Sequence, residues 1–141
     1  MDKISIGKIL NISDPFIMID KITEIEPEKY AKALKFIDFD DWYIKCHHIS
    51  NPVMPGTLQL ESILQTFYIL VFHKKKNSNL AYIYKSNITL IDKVKPGKTL
   101  NINTKIIEFK NNYYKGYGEC TIDEKVVSKS KFVLFVSNKI S

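Results

Sequence analysis

One long apolar stretch, at residues 58–73, constrains the fold of this chain more than any other feature of its sequence. Apolar residues fill positions 58, 60, 63, 64 and 67–72, so a helix here would be apolar around most of its circumference and buried on several sides. Residues 55–57 (PGT) are typical of a helix start, and we predict Thr57 as the N-cap. The run 63–72 is interrupted by Gln65 and Thr66 and is too short to span a bilayer.

The rest of the chain consists mainly of strand-like segments separated by turns. Residues 4–10 could form a short helix or an extended lead-in, and residues 38–54 are irregular. A curved antiparallel sheet wrapped around the single helix would bury both, so we predict an α+β fold. The predicted strands are 16–25, 29–37, 82–91, 99–109, 113–123 and 126–136, with turns around Pro27 and at 94–98, 110–112 and 123–125.

Length and composition fit one globular domain, 1–141. With 141 residues, 45% of them hydrophobic and 12% aromatic, a chain can form a core without disulfides or a metal. The two cysteines, Cys46 and Cys120, make no disulfide framework. Because the sequence also lacks a recognisable signal peptide, we expect a cytoplasmic protein.

The net charge of +6 comes from lysine, since the chain contains no arginine. Lysine reads phosphates and bases less specifically than arginine, and no basic motif here is interleaved with aromatic residues, so nucleic acid is not expected as a partner. The densest basic run, Lys74 to Lys76, follows the predicted helix. It would suit the negative C-terminal end of that helix or provide a docking surface for an acidic protein.

Residues 46–61 combine three groups that catalysis can use. His47 lies in a predicted loop and can take a proton from an acidified carbon near neutral pH. Gly56 stands at the helix start, where backbone N–H groups lack intrahelical partners and can polarise a carbonyl. Glu61 lies on the apolar helix, where burial raises the pKa of its carboxyl and the helix dipole lowers it, which leaves its protonation open. Gln65, one turn later, would orient Glu61 or satisfy buried backbone.

This segment resembles the signature of the FabZ/FabA family of 3-hydroxyacyl-acyl-carrier-protein dehydratases, which have a hotdog fold. Residues 52–65 (PVMPGTLQLESILQ) resemble the family's PVMPG motif and the carboxylate-bearing helix that follows it. Counting back from Pro52, the family's histidine falls on His47, its carbonyl-polarising glycine on Gly56 and its carboxylate on Glu61. Weaker similarities extend the resemblance to nearly the whole chain, at 14–21 (DPFIMIDK), 94–100 (VKPGKTL) and 114–130.

The resemblance implies reversible dehydration of a 3-hydroxyacyl thioester to the trans-2-enoyl thioester. His47 would remove the C2 proton, Glu61 would protonate the leaving C3 hydroxyl, and the Gly56 N–H would stabilise the enolate oxygen. The substrate would be carried on the phosphopantetheine of an acyl carrier protein, with no further cofactor. A shared active site implies a homodimer, or a trimer of dimers. Glutamate at position 61, where the isomerising FabA branch has aspartate, indicates the simple dehydratase branch.

Other residues near the motif are candidates for substrate contacts. Trp42 and Tyr43 would gate the entrance to the site, and His48 would line it or have a structural role. Met54 and Pro55 would lie beside the substrate together with Gln65. No metal site is expected, because the cysteines and histidines lack metal-ligand spacing: Cys46, His47, His48, His73 and Cys120.

Residues 46–50 (CHHIS) differ most from the family, whose loop has the sequence GHFPG. Cys46 and Ser50 adopt positive φ less readily than glycine, so the loop would hold His47 differently or line a differently shaped entrance. Two alternatives to a dehydratase follow. One is a catalytically silent hotdog protein that binds an acyl group or supports a partner. The other is a hotdog thioesterase, against which the PVMPG segment argues.

Overall fold

In a computed structural model of the chain, which describes residues 1–74 and 80–137, one long helix packs against an antiparallel sheet. The helix contacts four strands of the sheet and a short N-terminal helix, and ten of its residues are buried. The elements are α1 (Lys3–Leu10), β1 (Lys21–Glu26), β2 (Tyr30–Phe36), α2 (Trp42–Lys45), α3 (Gly56–Phe72), β3 (Leu80–Ser86), β4 (Thr89–Leu90), β5 (Thr99–Lys110), β6 (Tyr113–Ile122) and β7 (Lys125–Ser137).

The sheet has the strand order β1-β2-β5-β6-β7-β3, and β4 pairs with β7. All pairs are antiparallel. The β5–β7 meander turns at Asn111 and Asn112, with φ of 53° and 67°, and at Asp123 and Glu124, with φ of 50° and 67°. The predicted helix and the β1–β2 hairpin are confirmed. The prediction that the four strands between residues 82 and 136 form one meander is right for β5, β6 and β7 but wrong for β3, which pairs with β7 rather than with β5.

Glycines on β6 let the long helix lie close to the sheet. A Cβ atom at Gly118 would clash with Cγ2 of Ile63, and one at Gly116 would lie 2.7 Å from Cε1 of Phe67. Ile63 and Phe67 are buried residues of α3. The absence of two side chains on the sheet therefore makes room for two large side chains of the helix.

The first strand is shorter than predicted, because part of the predicted range is bound to α3 rather than to another strand. The prediction began at Phe16, whereas β1 begins at Lys21. The N–H of Met18 donates to Oε1 of Gln65 at 2.8 Å, and the carbonyl of Phe16 accepts from Nε2 of Gln65 at 2.9 Å. Ser62 Oγ donates to the carbonyl of Met18 at 2.9 Å.

The structure settles the expectation for residues 4–10, which were left as helix or extended chain, and corrects two other expectations about helices. Residues 4–10 belong to α1, whose N-cap Asp2 accepts from the N–H of Ser5 at 2.9 Å. The irregular segment 38–54 contains the four-residue helix α2. The prediction of Thr57 as N-cap is wrong: α3 begins at Gly56, follows Pro55 and has no side-chain cap.

The predicted strand 82–91 is two strands, β3 and β4, both paired with β7. Asn87 lies between β3 and β4, where hydrogen bonds that involve side chains replace the regular strand pairing. Its side-chain Oδ1 accepts from the N–H of Lys131 at 3.1 Å, and its carbonyl accepts from the hydroxyl of Ser130. Among the described residues β3 is an outermost strand of the sheet.

The C-terminal end of α3 is closed by His73, whose Nδ1 lies 3.1 Å from the carbonyl oxygens of Ile69 and Leu70. Lys74 is exposed, and Lys75 and Lys76 of the predicted basic run lie outside the described residues. Within the described ranges, no helix has the length and apolar character needed to cross a membrane.

Candidate active site

One hydrogen bond sets the tautomer of His47, which lies in the loop between α2 and α3. Its Nδ1 is 2.9 Å from the carbonyl oxygen of Val53. A carbonyl oxygen can only accept, so Nδ1 carries a proton and Nε2 of the neutral ring keeps a free lone pair. The ring is half-buried, and its backbone anchor leaves Nε2 as the atom that can act as a base.

Cys46 and Ser50 stand where the family loop GHFPG has glycines, and neither has a strained backbone. Cys46 has a φ of −113°, and Ser50 is not among the residues with positive φ. Within 46–55 the positive φ is at His48, at 51°. The exposed ring of His48 packs edge-on against that of His47, with 4.2 Å between centroids. Cys46 and Ser50 therefore do not need the conformational freedom of glycine.

His47 and the start of α3 share one cavity of about 510 Å³, which we call the His47 cavity. The N–H groups of Leu58 and Gln59 donate to the carbonyl of Pro55 at 3.0 and 3.2 Å, while those of Gly56 and Thr57 have no acceptor within the helix. The cavity is lined by His47, Val53, Met54, Gly56, Gln59, Leu90, Ile91, Asp92 and Lys93. It thus combines a base with the N–H of Gly56, which can bind an oxyanion.

Glycine at position 56 leaves room for the side chain of Leu90. A Cβ atom at this position would clash with the Leu90 side chain, whose Cδ2 would be 2.9 Å away. Because glycine lacks that atom, the Leu90 side chain can lie directly against the backbone at the helix start.

Glu61 lies at a second cavity of about 170 Å³, which we call the Glu61 cavity. Burial raises the pKa of its carboxyl, and a hydrogen bond from Gln65 partly offsets this. The effect of burial is the larger one, so the neutral acid is favoured more than in water. This cavity is lined by Leu10, Ile12, Phe16, Glu61, Leu64, Gln65, Tyr68, Ala81, Tyr82, Ile83 and Leu134.

Gln65 holds Glu61 in place and fastens the segment before β1. Its Nε2 donates to Oε2 of Glu61 at 3.0 Å and to the carbonyl of Phe16 at 2.9 Å, and its Oε1 accepts from the N–H of Met18. Both polar atoms of the amide are thus used, and the residue is 3% exposed. The position of Glu61 is therefore tied to the backbone at 16–18.

The two cavities share none of their described lining residues. Gly56 and Glu61 are five positions apart, which at 3.6 residues per turn separates them by about 140° around the helix. One chain therefore presents His47 with Gly56 in one place and Glu61 in another.

Comparison with known proteins places these features in a family. The family model described as a FabA-like domain matches residues 11–131. The chain belongs to the FabA-like family. A 3-hydroxyacyl-[acyl-carrier-protein] dehydratase FabZ from Oceanobacillus iheyensis is 31% identical over 140 residues, covering 96% of this chain and 99% of the relative. The FabZ of Ralstonia nicotianae is 30% identical, covering 94% and 85%.

The predicted hotdog architecture is also confirmed by solved structures. The dehydratase heterocomplex ApeI:P from Xenorhabdus doucetiae has a chain that superimposes with a TM-score of 0.78, covering 95% of this chain and 91% of that one. The sequence identity is 12%, so this similarity establishes the fold alone.

Trp42 and Tyr43, the two residues predicted to gate the entrance to the site, differ in exposure and in hydrogen bonding. Trp42 is 47% exposed, and its Nε1 donates to the carbonyl of Pro15 at 3.2 Å. Tyr43 is 2% exposed and donates to Oδ2 of Asp41 at 2.7 Å. Tyr43 is thus a core residue rather than a gate, because Asp41 and the buried cation of Lys35, 5.9 Å from its ring centroid, hold it inside.

The residues around the PVMPG motif contribute in different ways. Met54 is buried, lines the His47 cavity, and donates from its N–H to the carbonyl of Val94 at 2.8 Å. Pro55 supplies the carbonyl that receives the first bonds of α3. Within residues 1–74 and 80–137, no three His, Cys, Asp or Glu side chains are grouped so that they could hold a metal.

Sequence reasoning missed two parts of the His47 cavity. The first is the segment 90–93, which begins at the last residue of β4 and is held in place by long-range bonds to β7. The second is Gln59, buried on α3 at 2% exposure. The sequence contains one signal for Gln59, which is a polar residue in an apolar helix, three positions after Gly56. Residues three apart lie on the same face of a helix.

Proposed function

We propose that this FabA-like protein dehydrates 3-hydroxyacyl thioesters to trans-2-enoyl thioesters, with the acyl chain carried on the phosphopantetheine of an acyl carrier protein. The observation that carries the proposal is the bond from His47 Nδ1 to the Val53 carbonyl at 2.9 Å. It leaves Nε2 as a base beside the free N–H of Gly56. The full-length similarity to FabZ dehydratases supports the same reaction.

The reaction then follows from the groups present. The thioester oxygen binds the Gly56 N–H, which stabilises negative charge as Nε2 of His47 removes the C2 proton. A double bond forms between C2 and C3 as the C3–O bond breaks. Glu61, whose pKa is raised by burial, donates a proton to the leaving oxygen, so the products are the enoyl thioester and water. Glu61 then regains a proton and His47 loses one.

A second copy of the chain would bring Glu61 to the His47 cavity. The Glu61 cavity is lined by Ala81, Tyr82 and Ile83 of β3, an outermost strand of the described sheet. Such a strand offers unpaired N–H and C=O groups to another strand. A homodimer in which β3 strands meet would place each Glu61 cavity next to the partner, and a trimer of dimers would repeat this unit.

Lysines near the His47 cavity suit an acidic carrier protein. Lys93 lines the His47 cavity. It also lines an adjoining cavity, whose wall contains three further lysines, Lys95, Lys98 and Lys125. Asp92 and Asp123 lie among them, yet the exposed charge at this mouth is mainly positive. Such a surface would speed the encounter with an acidic partner.

The test follows two products from one incubation of the protein with a 3-hydroxyacyl thioester. Enoyl absorbance should rise while free thiol stays constant, and both His47→Ala and Glu61→Gln should lose this activity. Thiol release without enoyl formation would instead indicate a thioesterase. Binding without turnover at any chain length would indicate a catalytically silent acyl-binding protein.

A further inference from the structure

Gln59 is a buried polar residue whose side-chain oxygen has no hydrogen-bond partner among the described residues. It is 2% exposed, so water outside the protein does not reach it freely. Buried amide oxygens are nearly always paired in folded proteins, and an unpaired one therefore needs an explanation. The contrast on the same helix is Gln65, whose two amide atoms are both hydrogen-bonded.

The position of Gln59 points to a ligand. It lines the His47 cavity together with His47 and Gly56, and it follows Gly56 by three positions, so the two share one face of α3. Its backbone carbonyl faces the thiol of Cys120, with Sγ at 3.9 Å, which fixes this turn of the helix against β6. Gln59 thus lies in the wall of the cavity that contains the groups assigned to the reaction.

We infer that Gln59 determines specificity by binding the C3 hydroxyl of the substrate. This rests on the proposed function, which seats the thioester oxygen on the Gly56 N–H. C3 is two bonds from that carbonyl carbon, and its hydroxyl is the nearest polar group in the acyl chain. Oε1 of Gln59 would accept from the hydroxyl, and the amide would thereby hold its oxygen in line for departure. A saturated acyl chain offers no such donor, so it leaves Oε1 unpaired.

Binding measurements separate this inference from the proposed reaction. The ligands are 3-hydroxyoctanoyl-pantetheine and octanoyl-pantetheine, measured by calorimetry with the full chain carrying Glu61→Gln to prevent turnover. The hydroxylated ligand should bind more tightly than the saturated one. Adding Gln59→Leu should remove that preference, with a loss of about tenfold for the hydroxylated ligand and no loss for the saturated one.

Ser128→Ala is the matched control. Ser128 is also fully buried, but it does not appear among the described residues that line the His47 cavity, so its loss should leave the preference unchanged. If Gln59→Leu does not fold, Gln59→Met supplies an unbranched side chain of similar length for the same comparison. Thermal unfolding monitored by circular dichroism identifies such a failure.

A preference that survives both Gln59 variants would overturn the inference, because the amide would then be paired with a buried water rather than with the substrate. Equal losses for both ligands would overturn it too, since they would indicate a role in the shape of the cavity. Absence of turnover by the unmodified protein would overturn only the proposed function, because the binding preference is measured without turnover.

Discussion

The imidazole of His47 is anchored to the backbone of Val53, with Nδ1 2.9 Å from the carbonyl oxygen. Val53 lies three positions before Gly56, where α3 begins. A displacement of the helix start would therefore also displace the base. This link between the proposed base and the proposed oxyanion donor has consequences that can be measured separately for proton transfer and for stability.

Replacing His47 by asparagine or by alanine should separate these two roles. Both variants lack Nε2, so both should lose turnover by about 10²–10⁴-fold. The asparagine amide can still donate to the Val53 carbonyl, whereas alanine cannot, so only His47→Ala should also lose about 1 kcal/mol of unfolding free energy. Steady-state rates and urea denaturation provide the two readouts. Retained turnover in either variant would remove His47 from the mechanism.

The stability of the protein should depend on pH through Glu61. Burial raises the pKa of this carboxyl above the ordinary 4.5, so the folded state favours the neutral acid. That contribution is fully present below about pH 4.5 and is lost as pH rises through the folded-state pKa. Glu61→Gln, which stays neutral, should therefore gain stability relative to the unmodified protein between about pH 4 and pH 8.

Denaturant midpoints at the two pH values measure this gain. Glu124→Gln, at an exposed turn, controls for the loss of one negative charge from the protein. A stability difference for Glu61→Gln that stays constant, or shrinks, as pH rises would contradict the assignment of Glu61 as a carboxyl whose neutral form is favoured.

The main elements could be predicted because their signals are local. The apolar run that became α3 and the turn residues Asn111 and Asn112 need no knowledge of distant contacts. The start of β1 was wrong because residues 16–18 bond to the side chain of Gln65, 47 positions after Met18. The break at Asn87 has the same kind of cause, since its partners lie on β7.

The sequence identifies the proposed catalytic groups but does not show where they lie relative to one another. The spacing to PVMPG selects His47 and Gly56, but it does not show that Glu61 lies at another cavity. Tyr43 was expected at the entrance together with Trp42, yet it is bonded to Asp41, which pairs with Lys35, a lysine only 5% exposed. Such long-range charge pairing leaves no pattern in a single sequence.

The two cysteines should differ sharply in reactivity. Cys46 is exposed and Cys120 is buried, and burial raises the pKa of the Cys120 thiol to about 12. Thiolate is the reactive form, so at pH 8 the folded protein should show one fast thiol toward a disulfide reagent. Cys46→Ser should abolish that signal and Cys120→Ser should leave it. Two fast thiols in the folded protein would show that β6 is open to solvent.

The close approach of α3 to β6 should make Gly118 sensitive to substitution. Gly118→Ala places a methyl group against Cγ2 of Ile63, and this overpacking should cost about 1–3 kcal/mol of unfolding free energy. Ile63→Leu removes the β-branch, so the double variant should lose less than the sum of the single variants. Rescue should be partial, because Cγ2 of Thr104 would lie 3.3 Å from the new methyl. Strict additivity in a denaturation cycle would argue against this contact.

The separation of the His47 and Glu61 cavities predicts that two inactive variants restore activity when combined. In a dimer with shared sites, a His47→Ala chain and a Glu61→Gln chain together form one site with both residues intact and one with neither. Random exchange of equal amounts makes half of the dimers mixed, so the mixture should recover about a quarter of the unmodified activity. Co-refolding the variants from urea allows the exchange, and each variant refolded alone is the control. No recovery, with chromatography showing mixed dimers, would mean that each chain uses its own His47 and Glu61. The two cavities of one chain would then have to join by a movement of α3 rather than by assembly.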